Sequence, residues 1–188
     1  MREKKHTRFA WIQTAWLISA IALLLGGILA VFTNSDELLE IAVPLGVVML
    51  FCGIVNICIY WRKQTDLHGA RWLLADGMTT ALLSVFLLFN KMILPAMIPF
   101  FFGVWELFSG VIKVVDSREL KAEEIHGWQR FTVIGTLEIL SGVAALLKPI
   151  EDFMGMNIVV GIVLLIQSLG YLFKIITYPD LKNDSNNH

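Results

Sequence analysis

Charge is what this chain has least of. Only 16% of its 188 residues are charged, 56% are hydrophobic, and the mean hydropathy is +0.69. A soluble domain of this length needs more charge to cover its surface, so the composition points to an integral membrane protein. The net charge of -1 provides no field that would draw nucleic acid, and no nucleic-acid partner is expected. Cysteine is scarce too. Cys52 and Cys58 lie six residues apart in one apolar run, on different faces of a helix, which argues against a bridge between them. No Cys/His spacing suits zinc, so neither metal nor cofactor is expected. There is no P-loop, GxSxG, HExxH or GxGxxG, and the polar loops are too short to form a catalytic domain. The chain is therefore expected not to be an enzyme.

Apolar sequence is abundant. Runs of about 20 residues, the length needed to cross a bilayer, occur six times, at roughly 10–32, 38–61, 70–90, 92–115, 127–147 and 155–178. They are continuous rather than alternating, which argues for helices and against a barrel. The N-terminus resembles a secretion signal, with basic MREKKHTR before an apolar stretch. That stretch is too long for a signal-peptide core and no A-x-A site follows, so it reads as an uncleaved first span. The expected fold is an all-α integral membrane protein whose partner is the lipid bilayer. Residues 1–9 form a basic cytoplasmic segment, 10–178 the six-helix domain, and 179–188 a polar, disordered tail.

The loops sort by charge. If each run crosses once, only Lys91 and Lys148 of the 15 lysines and arginines fall on one side. Basic loops remain cytoplasmic, so both termini are expected inside. The longest loop, DSRELKAEEIHG from Asp116 to Gly127, reads as a solvated cytoplasmic connector. Trp11, Trp61 and Trp128 suit an interfacial belt, and Lys113 and Lys174 are placed to snorkel to the cytoplasmic surface. Pro95 and Pro99 are expected to bend the fourth helix near its outer end. His6, His68 and His126 read as ordinary surface histidines.

Small residues recur at a fixed offset. Gly27, Ser84 and Gly142 are spaced 57 and 58 apart. Seven residues before them stand Ala20, Gly77 and Gly135; 19 after, Gly46, Gly103 and Gly161; 26 after, Gly53, Gly110 and Ser168. The chain thus reads as three tandem helical hairpins, at about 10–61, 70–115 and 127–178. A tryptophan stands near the start of each, at Trp16, Trp72 and Trp128. Lipid provides no hydrophobic drive between helices, so these stripes are read as packing surfaces that allow close backbone approach.

Three Trp-led hairpins with G-x6-G stripes, as in GVVMLFCG (46–53) and GVWELFSG (103–110), resemble the HdeD-like acid-resistance membrane proteins of bacteria. The resemblance covers about residues 10–178 and departs at Ser168, where the third repeat loses its second glycine. It implies a six-helix protein of the bacterial cytoplasmic (inner) membrane with a role in survival at low pH or in general stress. It implies no catalytic residues.

Polar groups inside the apolar runs are the remaining candidates. Glu106 and Glu138 sit near mid-helix, Asp76 lies nearer the cytoplasmic end, and Gln167 and Asn56 interrupt other runs. A lone carboxylate at mid-bilayer costs several kcal/mol, so such groups face the bundle interior and pair, or are neutral. Two readings stand. In one, Glu106, Glu138, Asp76 and Gln167 sense or relay protons. In the other they are hydrogen-bonded struts that fix helix register, with Gln167 or a backbone carbonyl as partner and Asp76 held locally beside Arg71. A small transporter or channel with a Glu-lined path is the alternative function, and a homo-oligomer formed through the small-residue stripes is a further option.

Overall fold

The computed structural model describes residues 2–34, 38–63, 70–89, 97–122, 124, 127–147 and 155–184. They form six helices: α1 (Arg2–Phe32), α2 (Leu38–Lys63), α3 (Ala70–Leu88), α4 (Ile98–Ala122), α5 (Trp128–Leu146) and α6 (Met156–Asp184). By length and composition four are able to cross a membrane, over Trp11–Phe32, Ala42–Arg62, Ile98–Ala122 and Met156–Ile176. The apolar part of α3, Leu73–Leu88, is shorter. The six runs are therefore not equivalent. Asp76, Thr79 and Thr80 dilute α3, and Thr132, Thr136, Glu138 and Ser141 dilute α5.

Several boundaries differ from expectation. The helix of α1 begins at Arg2 and so includes most of the basic N-terminal segment. Met97 forms a tight turn and α4 starts at Ile98, so Pro99 opens the helix rather than bending it. Proline is favoured in the first turn because the missing N–H has no intrahelical partner there. The connector after Val115 is largely helical, since α4 continues to Ala122. DSRELKA contains no breaker, and buried Leu120 anchors it against Phe131 and Trp128. The ammonium of Lys121 adds a contact 4.8 Å from the centre of the Trp128 ring. Gly127, with φ 95°, then turns the chain into α5. At the far end α6 runs on through Asp184, so residues 179–184, expected as disordered tail, are helical. Lys91, Pro95, His68, His126, Lys148 and residues 185–188 lie outside the described residues, as do the side chains of His6, Arg71 and Trp72.

The close pairs are α2 with α3, α4 with α5, and α1 with α6; the two helices within each hairpin pack less extensively. The hairpin is a repeat of sequence, but the tight contact joins one repeat to the next. The last helix closes on the first, giving a ring of three pairs with pseudo-threefold order.

The small residues make the crossings. A Cβ added at Gly110 would lie 2.6 Å from the carbonyl oxygen of Gly135, and one at Gly53 would lie 2.8 Å from that of Gly77. In the third pair Ser168 replaces glycine and donates its hydroxyl to Ala20 O at 2.9 Å. The second crossing repeats the pattern. A Cβ at Gly142 would lie 2.8 Å from Gly103 O, and one at Gly161 would lie 2.9 Å from Gly27 O. In the first pair Gly46 meets Leu87, its Cβ position 3.2 Å from the leucine Cβ, rather than Ser84. Outward, the helices present large apolar side chains such as Leu25, Leu82, Phe89, Phe108 and Leu140. Cys52 is buried and Cys58 exposed, both as free thiols.

Substituting Gly110 tests the crossings. Gly110→Ala should lower stability by about 1–3 kcal/mol, because the new methyl meets two backbones that must separate. Gly26→Ala should have a smaller effect, because its nearest neighbour is the movable end of Leu45 at 3.0 Å. Thermal unfolding in detergent micelles would report both.

Candidate functional site

The repeat register predicts where polar groups meet. Three residues after Gly53, Gly110 and Ser168 stand Asn56, Lys113 and Tyr171. These equivalent positions face the interior, and all three side chains are buried. Three residues after Ala20, Gly77 and Gly135 stand Leu23, Thr80 and Glu138, also buried. Helix pairs held close at the crossings bring these columns together on the ring axis.

Asp76 on α3 is the hub. Its carboxylate accepts from three other helices: Asn56 Nδ2 at 3.0 Å, Ser109 Oγ at 2.7 Å and Lys174 Nζ at 2.8 Å. Among the described residues its charged partner is Lys174, 98 residues away. Asn56 also donates to Tyr171 Oη at 3.0 Å and accepts from Trp16 Nε1 at 3.2 Å, which ties in α1. Lys174 sits 4.6 Å above the Tyr171 ring. Behind Asp76, Trp105 Nε1 donates to Thr80 Oγ1 at 2.8 Å, and Thr80 donates to Asp76 O at 2.7 Å.

From Asp76 the network continues inward. Ser109 Oγ accepts from Lys113 Nζ at 2.7 Å, and Lys113 also donates to Glu138 Oε2 at 2.6 Å. Both Lys113 and Lys174 therefore point inward, as halves of buried ion pairs whose side chains are at most 8% exposed. Neither snorkels. The carboxylates on the axis outcompete the interface because each ammonium finds an ion pair and at least one further contact inside.

Glu106 lies two helical turns before Lys113 on α4, about 10 Å further from the basic-loop end. It is completely buried. The Ser141 hydroxyl donates to Glu106 Oε1 at 3.1 Å or to Glu138 O at 3.0 Å. Gln167, also buried, lies within interaction range of the Glu106 carboxyl group. Beyond Glu106 the described interior is mainly apolar, with Ala30, Leu87, Ile98, Phe102, Ala145 and Val160 all buried, and the buried Ser84 hydroxyl donates back to Ala81 O in its own helix. The polar column starts near the basic-loop end and stops at this plug.

The structure therefore gathers Glu106, Glu138 and Gln167 into one place and links Asp76 to them through Ser109 and Lys113. It adds Lys113, Lys174, Ser109, Tyr171, Trp16 and Thr80, none of which had been given a part in the site. The signal for Lys113 and Tyr171 was present, since they share a repeat column with Asn56. What the arrangement does chemically is hold ionisable groups and their charge away from water. Three carboxyl groups face two ammonium groups, and Glu106 is the carboxyl without a basic partner at hydrogen-bond distance.

Removing one member of a buried ion pair strands the other, at about 3–5 kcal/mol. Lys113→Met should destabilise the protein by that order. Combining it with Glu138→Gln should recover part of the loss, as a double-mutant cycle of thermal unfolding would show. Gly170→Ala should weaken the same pair, because its Cβ would come 2.7 Å from Glu138 Oε1 and push that carboxylate away.

The model of a family described as "Short repeat of unknown function (DUF308)" matches the chain twice, over residues 18–89 and 75–147. The two matches are offset by one repeat of the small-residue pattern. No curated protein and no solved structure matches the chain.

Proposed function

Since the chain belongs to the DUF308 short-repeat family, we propose that it is a non-enzymatic multipass protein of the bacterial inner membrane that supports survival under acid or general stress. In this reading all six helices cross the bilayer and both termini are cytoplasmic. The one-sided distribution of lysine and arginine supports that orientation. The observation that carries the functional reading is the buried column of Asp76, Lys113, Glu138 and Glu106 in an otherwise apolar bundle. Charged groups at membrane depth are costly and mark functional paths or proton sites more often than packing.

The alternative, a small transporter or channel, draws on the same acids. The apolar plug beyond Glu106 disfavours it for this conformation. The three repeats enter the membrane in one orientation, so they also lack the inverted symmetry that serves alternating access.

Acid survival of a strain lacking the protein tests the proposal. Wild type should rescue it, and an equally expressed Glu106→Gln/Glu138→Gln double variant should rescue it poorly. Failure of wild type to rescue would remove the stress role. Reporter fusions at both ends check topology, and an external signal from either would overturn the orientation.

A further inference from the structure

Three buried polar atoms converge where the column ends. Glu106 Oε2, Glu138 Oε1 and Gln167 Nε2 have no hydrogen-bond partner within the described protein. Each belongs to a side chain at most 1% exposed, on α4, α5 and α6 respectively. Unsatisfied buried groups are rare, and three together on facing helices call for a shared partner. Gly170 on α6 makes the room, since any side chain there would meet Glu138 Oε1.

The donor set defines the occupant. Two carboxyl oxygens and one amide N–H suit a water molecule, which needs two to four polar partners. The charge defines the rest. Lys174 neutralises Asp76 and Lys113 neutralises Glu138, leaving one negative charge if Glu106 is ionised. We propose that Glu106, Glu138 and Gln167 form an occluded site for a single proton, carried on Glu106 and bridged to Glu138 by one ordered water. With the proton on Glu106 Oε2, the water accepts from Glu106 and from Gln167 Nε2 and donates to Glu138 Oε1. When the proton leaves, the water donates to both carboxylates and still accepts from Gln167. All three atoms are satisfied in either state, so the proton can exchange without dismantling the site. Gln167 is a positioning residue, and Ser141 holds the other Glu106 oxygen. The titratable groups around the site are Lys113 on α4, Asp76 on α3 and Lys174 on α6. The inference rests on the reading of the acids as proton-responsive, but not on any role in survival.

Infrared difference spectroscopy of the full-length protein in nanodiscs tests it. Wild type at neutral pH should show the C=O stretch of one protonated carboxyl group, shifted by deuterium exchange. Glu106→Gln should abolish that band. Gln167→Leu, which keeps Glu106, should shift its frequency, because a hydrogen bond to the bridging water is lost. Absence of the band in folded wild type, or its persistence unchanged in Glu106→Gln, would overturn the proposal. Loss of the band on adding sodium at constant pH would also overturn it, in favour of a metal-cation site. Failure of acid rescue with the band intact would remove the stress role and leave the proton site standing.

Discussion

Backbone-to-backbone contact at the small-residue crossings is the constraint on which the rest depends. Helices that touch carbonyl to Cα leave little space between them, so short side chains can bridge from one helix to another. Ser141 reaches Glu106 across such a crossing, between α4 and α5, and Ser109 reaches Asp76 where two of the close pairs face each other. In a soluble bundle the same distances would be bridged by water or filled by leucine. Here large apolar side chains also face outward and the interior holds polar groups beside its apolar core, so the proximity of the backbones is what lets those polar groups find each other.

The backbone is nearly threefold, but its chemistry is not. At equivalent places the repeats offer asparagine, lysine and tyrosine in one column, and serine, aspartate and isoleucine in another, at Ser19, Asp76 and Ile134. A strictly symmetric column would set three like charges against one another on the axis. The differences between repeats turn that repulsion into pairs, with Asp76 facing Lys174 and Glu138 facing Lys113. The first repeat contributes no charge to the column. It supplies Asn56, which accepts from and donates to its neighbours at once and thus joins Trp16, Asp76 and Tyr171.

The helices and the small-residue register were legible in the sequence, because continuous apolar runs and fixed spacing are local properties. The pairing of helices was not. A repeat of about 57 residues says which positions are equivalent, but it does not say whether a stripe meets the other helix of its own hairpin or the next repeat. The lysines were misread for a related reason. Lys113 and Lys174 stand near the basic end of their helices, where proximity to the interface favours snorkelling, and only the three-dimensional position of Glu138 and Asp76 shows where they turn. Glu106, Glu138 and Gln167 were legible as candidates because a polar residue in mid-span is conspicuous on its own. Their convergence depends on helix rotation, which composition does not encode.

The closure of the ring by α6 on α1 bears on how the protein is made. In the membrane arrangement proposed above, α3 and α5 are the shortest helices, 19 residues each, and each is synthesised directly after its tight partner, α2 or α4. Asp76 and Glu138 can therefore leave the insertion machinery beside a helix already offering glycines and polar contacts. Helix α1 has the opposite problem, because its partner α6 is translated after the other four helices. It contains the most apolar of the four long spans, so it can wait alone in lipid. Trp16 and Ser19, its buried polar groups, remain without their final surroundings until α6 has been made. Ring closure thus waits for α6, and the Tyr171 and Lys174 end of the polar column is completed only when it occurs.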